Sequence, residues 1–580
     1  MAPLHHCTSR DDTQLGISFH DPALPPKREK DIDTNETLDV LINRNQHIHL
    51  QHKTMSKAAT EERKALDEAQ AIDQEEKKQV VLQEIASRCN DSSEFAILRQ
   101  LGQALSQGQT LVCQIIAGGR TNYSYKVYVQ EDEALAVYSK ISFSFALWNP
   151  DRTQEYDIQR TVHEFEIIQK FTKIMGHKDA PVAKPLLLVD LPELRAKLVV
   201  TEWASDCPEQ WASQFQEGRV DMEIYQKLAE ALGALNLTTT DDENDVDPSF
   251  NENIRPCVQS LFPGSKERFA SMLQLDKSQD DFAVQGVKAM GQQVYDKLVD
   301  KMEEEFMETR EALCHNDCHQ FNILFAGNDK DESNHDFILC DWEMSFAGPQ
   351  GRDGGIAQSY AIACSVCHAM LGDRDKAEHL LNATIGFWDA YEQVFRKAGK
   401  SDAELKPIIL KALGVIAFLN FMVYYQYGLM AEVMPLGDLP QEQASKAMAA
   451  YGAIGLEFMA IAYGEAGESL SYSELRTCYK NIISKRIKDC LSEAEEDIEQ
   501  ETQKPRNRRS SIRVSSARRV SDAFLTSEAV YRASLHVPSS QTGGAPAGRR
   551  ASVYDLEPLA NTFPLDFLSD SADEDMKHDK

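Results

Sequence analysis

The sequence predicts an α+β protein with two lobes, a small antiparallel-sheet N-lobe and a large, mainly helical C-lobe, between disordered termini. Three short strands, one helix and two more strands follow one another between residues 91 and 205. A mainly helical region then runs from 206 to 494, interrupted near 312–345 by two apolar runs rich in polar residues. Because 580 residues exceed the roughly 250–300 at which one hydrophobic core stops growing, two lobes with flanking segments are expected.

The predicted N-lobe begins after a polar extension, residues 1–90, that is partly helical. In Thr54–Cys89 acidic and basic residues interleave at helical spacing. EFAILRQLGQAL is amphipathic, and the β-branched and aromatic runs TLVCQIIAGG, NYSYKVYV and ALAVYSKISF indicate three strands separated by turns. The helix-like segment YDIQRTVHEFEIIQKFTKIM comes next, and the strand candidates LLLVD and KLVVTEWA complete the lobe.

The tail, residues 495–580, is expected to be disordered, because it is basic and serine-rich and then acidic. It holds three Arg-Arg-x-Ser elements that end at Ser511, Ser521 and Ser552. A basophilic protein kinase recognises such elements by pairing the arginines with acidic subsites, so phosphorylation at these serines is one hypothesis. A basic linker without that role is the other.

The charge and composition of the chain limit the classes of binding partner that we expect. The formal net charge of −31 would repel polyanions, so nucleic acid and anionic membrane surfaces are not expected partners. The 12 cysteines are scattered and the first residues carry no apolar run typical of a secretory signal, which predicts a cytoplasmic protein with reduced thiols. Ala412–Ala431 is uncharged and long enough to span a bilayer, but we expect it to be a buried helix of the large lobe rather than an integral membrane span.

The densest chemical signal is LCHNDCHQFNILF, residues 313–325, where His315-x-Asp317 is followed by Asn322 and an apolar strand. Phosphoryl transfer needs a carboxylate beside the attacking hydroxyl and an oxygen ligand for Mg²⁺ a short loop away. Asp317 and Asn322 supply that pair, so Asp317, together with His315, is the catalytic candidate and Asn322 a metal ligand.

The second apolar run, FILCDWE at 337–343, ends in two carboxylates, Asp341 and Glu343. In an extended chain alternate side chains project to one side, so both carboxylates are expected to face the same metal. The pair is placed to hold Mg²⁺ against the β- and γ-phosphates of ATP. Asp341 and Glu343 are therefore predicted metal residues alongside Asn322.

The N-lobe is expected to supply a glycine turn over the phosphates and a lysine on its third strand. The turn Gly118-Gly119-Arg120-Thr121-Asn122 and the lysine Lys140 meet both requirements. Glu164 in the following helix is the predicted ion-pair partner of Lys140, with Glu166 as the competing candidate. These residues form the predicted ATP-binding set of the N-lobe.

These motifs resemble those of known kinases over about residues 95–360. GGRTNYSYKV resembles the nucleotide loop of choline and ethanolamine kinases, and CHNDCHQFNILF with CDWE resembles their catalytic and metal-binding motifs, which recur in the aminoglycoside phosphotransferase superfamily. The resemblance implies a protein-kinase-like fold, use of ATP and Mg²⁺, Asp317 as the catalytic base, Asn322 and Asp341 as magnesium ligands, and Glu343 as a further metal or structural carboxylate. It also implies that the stretch through Glu202 and Trp203 is the hinge that contacts adenine.

The sequence indicates the phosphate acceptor less clearly than it indicates the phosphate donor, ATP. The loop AGPQGRDGG at 347–355 is similar to that of methylthioribose kinase rather than choline kinase. Trp388, Tyr391, Tyr424 and Tyr425 could form an aromatic cage for a quaternary ammonium, although such aromatics are more often core residues. A choline or ethanolamine kinase-like activity on a small-molecule alcohol, a methylthioribose, sugar or aminoglycoside-type kinase, and an inactive kinase-like scaffold therefore all remain open.

Overall fold

The computed structural model describes most of the chain between residues 71 and 503, all of it within the unit Ala58–Lys580. The described ranges are 71–89, 95–116, 121–145, 157–176, 180–204, 209–238, 247, 250–259, 261–274, 282–325, 336–428, 434–436 and 439–503. Ser511, Ser521 and Ser552 lie outside these ranges, as do Gly118 and Gly119.

The smaller lobe is a five-stranded antiparallel sheet in the order β1-β2-β3-β5-β4. Its strands are β1 Leu111–Ile116, β2 Asn122–Val129, β3 Asp132–Phe143, β4 Pro185–Leu191 and β5 Ala196–Glu202. The helices of this lobe are α1 over 71–89, α2 Ala96–Ser106 and α3 Gln159–Met175, which connects β3 to β4. The order of three strands, one helix and two strands is the one that the sequence predicts.

The two faces of this sheet have different neighbours. On β2 the hydroxyl of Tyr123 donates to Asp73 Oδ2 at 2.9 Å and that of Tyr125 donates to the carbonyl of Gln74 at 3.0 Å, so α1 lies against this face. Because side chains alternate along a strand, Ser124 and Lys126 point to the other face. That inner face carries Lys140 and looks towards α3 and the larger lobe.

The larger lobe is built from helices. They are α4 Ala212–Glu217, α5 Met222–Leu237, α6 Arg255–Gln259, α7 Leu261–Leu273, α8 Phe282–Met290, α9 Gln292–Glu308, α10 Arg352–Met370, α11 Arg374–Lys397, α12 Asp402–Ala417, α13 Gln441–Tyr463, α14 Glu465–Ser469 and α15 Tyr472–Gln503. Every residue of α10 is buried, which makes it the central helix of the lobe. The architecture confirms the predicted bilobal α+β fold, and α15 continues past the helix boundary expected at 494.

Short strands interrupt the helices of the larger lobe, and most of them lie in or beside the two apolar runs that are rich in polar residues. They are β6 Glu209–Gln210, β7 Ala312–Cys314, β8 Ile323–Phe325, β9 Phe337–Leu339 and β10 Phe346–Gly348. β8 pairs with β6 and β9, and β7 pairs with β10. The loop between β7 and β8 and the loop after β9 are thereby held next to each other at the boundary of the two lobes.

The uncharged stretch beginning at Ala412 forms the end of α12 and a π-helix, Phe418–Gln426. By length and composition the combined helix Asp402–Gln426 could cross a membrane. However, 78% of its most apolar 18-residue stretch is buried inside the protein. Within the described residues, it therefore occupies the place of a core helix, as the sequence predicts. Its π-helical turn was not expected.

Candidate active site

Lys140 lies at the centre of the site. It sits on β3, the middle strand of the sheet, with Ser124 and Val199 as its cross-strand neighbours. Its Nζ donates to Glu164 Oε1 at 2.7 Å and to Asp341 Oδ1 at 2.8 Å, although Asp341 is distant in sequence and belongs to the other lobe. One buried ammonium thus joins the sheet, helix α3 and the loop after β9.

Glu164, rather than Glu166, is the carboxylate that α3 presents to Lys140. Glu164 is buried, whereas the Glu166 side chain is 59% exposed and lies 3.7 Å from His163 on the same helix. The two glutamates are two residues apart and so lie on different faces of a helix. Helix geometry therefore decides between the two candidates that the sequence left open.

The loop between β7 and β8 carries Asp317 and Asn322. The side-chain amide of Asn322 donates both to the backbone carbonyl of Asp317 and to its Oδ2, each at 2.9 Å. This orientation turns the amide oxygen of Asn322 away from Asp317. The backbone carbonyl of Asn322 accepts from the Cys340 N–H at 2.8 Å, which brings the loop beside Asp341.

His315 is wholly buried and fixed at both ring nitrogens. Its Nε2 lies 3.0 Å from the Cys340 carbonyl, and its Nδ1 accepts from the Asp317 N–H at 3.3 Å. Both contacts fit a neutral imidazole that carries its proton on Nε2. Burial lowers the pKa of His315 to about 4, so the ring stays neutral near pH 7. The geometry favours a role in positioning the Asp317 backbone over one in proton transfer.

Asp353, near the start of α10, holds the turn that precedes Asp317. Its two carboxylate oxygens accept the backbone N–H groups of His315 and Asn316, both at 2.8 Å, and the Asn236 side chain at 2.7 Å. Asn316 has φ 65°, a left-handed conformation that asparagine tolerates better than most residues. The neighbouring Arg352 also donates to the Asn316 side chain. These contacts hold the backbone of the turn before Asp317 in one conformation.

Asp341 does not continue the extended strand that the sequence predicts. β9 ends at Leu339, Asp341 has φ 61° and ψ 61°, and Trp342–Met344 form a 3₁₀ turn. The expectation of an extended chain from Asp341 to Glu343 is therefore wrong. The chain turns at Asp341, which adopts the left-handed region. Both carboxylates still lie beside Lys140, with Asp341 Oδ1 2.8 Å and Glu343 Oε2 3.8 Å from its Nζ.

Glu343 contacts the N-lobe. Its Oε1 accepts from the Thr121 hydroxyl at 3.1 Å, and its Oε2 accepts from Asn122 Nδ2 at 2.9 Å and Arg160 Nε at 3.3 Å. Glu343, Asn122 and Arg160 are all at least 95% buried. The arrangement fits the structural alternative for Glu343, and it occupies the side chains of Thr121 and Asn122 that the sequence assigned to the nucleotide.

The predicted nucleotide turn and hinge are described only in part. Gly118 and Gly119 fall outside the described residues. Glu202 ends β5 opposite Val137, whose side chain lies in the core on the outer face, so the Glu202 side chain also points outward. The ring of Trp203 lies below Lys126 Nζ, 5.1 Å from it, on the inner face.

Burial and neighbouring charges shift the pKa values of the acidic residues of the site in different directions. Burial would lower the pKa of Lys140, but the carboxylates of Asp341, Glu164 and Glu343 raise it well above its ordinary value. Although burial pushes the pKa of Asp341 upward, the Lys140 ammonium holds it below the usual range. Burial, then Asp341 and Glu343, raise the pKa of Asp317. Asp341 is thus kept anionic, while Asp317 is the more basic carboxylate.

The donor set fits a hard cation and a triphosphate. Asn322 and Asp341 offer one amide oxygen and one carboxylate, and Mg²⁺ commonly takes one or two protein ligands together with phosphates and water. Within the described residues, no group of three or more His, Cys, Asp or Glu side chains could hold a metal by itself. Lys140 would contact the phosphates in the manner of a β3 lysine.

The aromatic cage candidates divide into two pairs. Trp388 and Tyr391 are buried on α11 with their rings 5.5 Å apart, and the Tyr391 hydroxyl donates to Asn236 at 2.6 Å. Tyr424 and Tyr425 lie on the π-helix, where the Tyr425 ring stacks on Phe421. Trp388 and Tyr391 therefore have the surroundings of core residues.

Three residues of the site were not found from the sequence: Asp353, Asn236 and Arg160. Asp353 stands in the loop that resembles methylthioribose kinase, so its motif could have drawn attention to it, but its partners are backbone groups that no side-chain pattern reveals. Arg160 contacts Glu343 across 183 positions of chain, and Asn236 contacts Asp353 across 117. Nothing in the local sequence signals either contact.

This chain is similar to a solved structure and to a family model. A solved structure of glucosamine kinase, crystal form B, is 10% identical to this chain over 69% of this chain and 84% of that one, with a TM-score of 0.29. Residues 235–382 match the model of the ecdysteroid kinase-like family. The matched segment contains Asp317, Asn322, Asp341, Glu343 and Asp353, so the part of the chain that carries the candidate catalytic loop is the part that is similar to that kinase-like family.

Proposed function

We propose that this protein transfers the γ-phosphoryl group of ATP, with Mg²⁺, to a hydroxyl of a small molecule. The observation that carries the proposal is the convergence of Lys140 on Glu164 and Asp341 while Asn322 ties Asp317 to the same place. A lysine, a metal-binding carboxylate and amide, and a second, more basic carboxylate are the parts that phosphoryl transfer requires. The match of residues 235–382 to a kinase-like family supports it.

Each residue has a role that follows from its surroundings. Lys140 binds the phosphates and leaves Asp341 when they arrive, while Glu164 keeps the ammonium in place. Asn322 and Asp341 are the residues that would hold Mg²⁺, which when bound neutralises charge on the β- and γ-phosphates. Asp317 orients the acceptor hydroxyl and accepts its proton, a role suited to a carboxylate whose pKa is raised.

The acceptor hypotheses differ in the chemistry that they need near Asp317. The motif resemblance favours choline or ethanolamine, the 347–355 loop favours methylthioribose or another sugar or aminoglycoside, and the name of the matched family adds a steroid alcohol. The ring of Phe321, in the loop that carries Asp317, lies 5.7 Å from that of Tyr360, and Tyr360 and Tyr424 are both buried in the core of the larger lobe. These buried tyrosines therefore do not choose between the acceptors.

The proposal is tested by incubating the full chain with γ-labelled ATP, Mg²⁺ and one acceptor at a time: choline, ethanolamine, methylthioribose, an aminoglycoside and an ecdysteroid. We expect labelled product with one class of acceptor. Asp317→Asn should lower turnover by about 1,000-fold with little change in ATP affinity, since most of the proton-transfer and positioning advantage is lost.

Asp375→Asn serves as the matched control, because Asp375 is an exposed aspartate in the first turn of α11, outside the site. It should behave like the unmodified protein. Full turnover by Asp317→Asn would refute the role given to Asp317. Absence of ATP binding by the unmodified protein would instead support the remaining alternative, a kinase-like scaffold without catalysis.

A further inference from the structure

The backbone carbonyls of the turn that follows β9 are held by two buried asparagines. The side-chain amide of Asn251 donates to the carbonyls of Glu343 and Ser345, at 2.9 and 2.8 Å. The amide of Asn316 donates to the carbonyl between them, that of Met344, at 3.0 Å. Three consecutive carbonyls of this turn are therefore occupied by asparagine amides, and the turn is held from two sides.

The two asparagines come from different parts of the chain. Asn316 belongs to the catalytic loop and directly precedes Asp317. Asn251 precedes the 3₁₀ turn Glu252–Ile254, is 4% exposed and has φ 53°. Asparagine adopts this left-handed conformation more readily than most residues. Position 251 thus combines an uncommon backbone conformation with a buried side chain that uses both of its amide hydrogens.

The segment that carries this asparagine, residues 250–255, also contacts helix α3 of the smaller lobe, and we call it the bridging segment. Asn253 donates to Asp157 Oδ2, and the other oxygen of that carboxylate accepts the N–H of the first residue of α3. The ring of Phe250 meets that of His163 edge to face, with the ring centres 4.7 Å apart. Helix α3 is the helix whose glutamate holds the phosphate-binding lysine.

The other end of the bridging segment is fixed to the larger lobe. Glu252 Oε2 accepts from Arg310 Nη2 at 2.7 Å and from Arg255 Nε at 3.2 Å. The buried Arg255 also donates to the backbone near the end of α9 and to the carbonyl of Ala347 in β10. The bridging segment is thus anchored in the larger lobe and touches the smaller one, with Asn251 between the two contacts.

We propose that Asn251 is a positioning residue for Mg²⁺, because its hold on the carbonyls of Glu343 and Ser345 fixes the turn that directs Asp341 at the metal. The inference rests on the proposed function, since it takes Asp341 to be a magnesium ligand. Mg²⁺ tolerates little departure from octahedral geometry, so a turn that is free to rotate holds it less well. Through its contacts with α3, the bridging segment also sets this turn relative to the smaller lobe.

The test measures the Mg²⁺ concentration at which ATP binding to the full chain is half-maximal. Calorimetric titrations of ATP at increasing Mg²⁺ compare the unmodified protein with Asn251→Gly, which tolerates the left-handed backbone and removes the amide. We expect the half-maximal Mg²⁺ concentration to rise about tenfold, while ATP affinity at saturating Mg²⁺ changes by less than about twofold. Asn382→Gly, at an exposed position of α11, is the matched control and should leave the Mg²⁺ requirement unchanged.

The outcomes separate this inference from the proposed function. If the unmodified protein does not bind ATP, or binds it without regard to Mg²⁺, the proposed function fails and the inference falls with it. If ATP binding requires Mg²⁺ and Asn251→Gly has the same requirement, only the positioning role is refuted. A loss of ATP affinity that saturating Mg²⁺ does not restore would also refute it, because such a loss indicates general damage to the site.

A second variant covers the case in which Asn251→Gly does not fold. Asn253→Ala releases the bridging segment from Asp157 at an exposed contact and leaves Asn251 in place. It should raise the half-maximal Mg²⁺ concentration in the same direction, by about threefold, because the support of the turn is loosened rather than removed. An unchanged Mg²⁺ requirement in this variant would refute the role of the bridging segment.

Discussion

Replacing Glu343 by glutamine removes one negative charge from the boundary between the lobes while keeping the shape of the side chain. Its carboxylate accepts from Thr121 on one oxygen and from Asn122 and Arg160 on the other. A glutamine can point its single oxygen at Asn122 and Arg160, and the Thr121 hydroxyl can then turn to accept from the new amide. The hydrogen-bond geometry therefore survives and the charge is lost.

The expected loss of stability follows from replacing the carboxylate by a neutral amide. Bonds that involve a charged group contribute about 1.5–3 kcal/mol and bonds between neutral groups about 1 kcal/mol, so the Asn122 bond is weakened, while Arg160 keeps a bond but loses the charge of its carboxylate partner. We expect Glu343→Gln to lower the free energy of unfolding by about 2 kcal/mol. Glu343→Ala should cost about 3–5 kcal/mol, because the buried Arg160 guanidinium then faces a cavity.

Urea unfolding measures the stability change, and ATP titrations at several Mg²⁺ concentrations measure the metal requirement. Glu166→Gln on the exposed face of α3 is the matched control and should change stability by less than about 0.5 kcal/mol. We expect Glu343→Gln to leave the Mg²⁺ requirement unchanged. Normal stability together with a raised Mg²⁺ requirement would refute the structural role and make Glu343 a metal ligand.

Three further predictions concern the support of the catalytic loop and the tail. Asp353→Asn should lower kcat by about 100-fold at nearly unchanged ATP affinity in steady-state kinetics, because a neutral amide cannot accept from both loop N–H groups and Asn236; an equal loss of ATP affinity would contradict this. Gly351→Ala should lower the free energy of unfolding by about 3 kcal/mol in urea, since φ is 94° and a Cβ would meet the Ile408 carbonyl; a stability within about 0.5 kcal/mol of the parent would contradict it. A basophilic protein kinase should phosphorylate Ser511, Ser521 and Ser552, as mass spectrometry of the treated full chain would show, and absence of phosphate at all three would exclude the hypothesis.

The strands of the N-lobe could be predicted because their signal is local. Alternating β-branched and aromatic residues bounded by glycine or acidic turns gave all five strands of the sheet, and β3 places Lys140 at its centre. The candidate phosphate, metal and catalytic residues followed from motif spacing within a few dozen residues. The contact of Lys140 with Asp341 was not predicted, because it joins residues 201 positions apart and no local pattern signals it.

The features that the sequence did not predict share a physical cause. Each depends on a contact or a conformation that the neighbouring residues do not encode. Asp341 adopts a left-handed backbone although the run before it has the pattern of a strand, so the extended conformation expected from Asp341 to Glu343 is absent. The π-helix Phe418–Gln426 lies in a sequence that is apolar on every side, which leaves no periodicity to distinguish it from an α-helix. Asp353 acts on backbone N–H groups, which have no sequence signature.

The central claim is that Lys140, Asp341, Asn322 and Asp317 surround one metal-bound triphosphate. The most direct measurement is a calorimetric titration of ATP into the full chain with and without Mg²⁺, repeated for Asp341→Asn. We predict binding that requires Mg²⁺ in the unmodified protein and that weakens at least about tenfold in Asp341→Asn, because one charged metal ligand is lost. ATP binding that is unaffected by Mg²⁺ and by this substitution would contradict the arrangement.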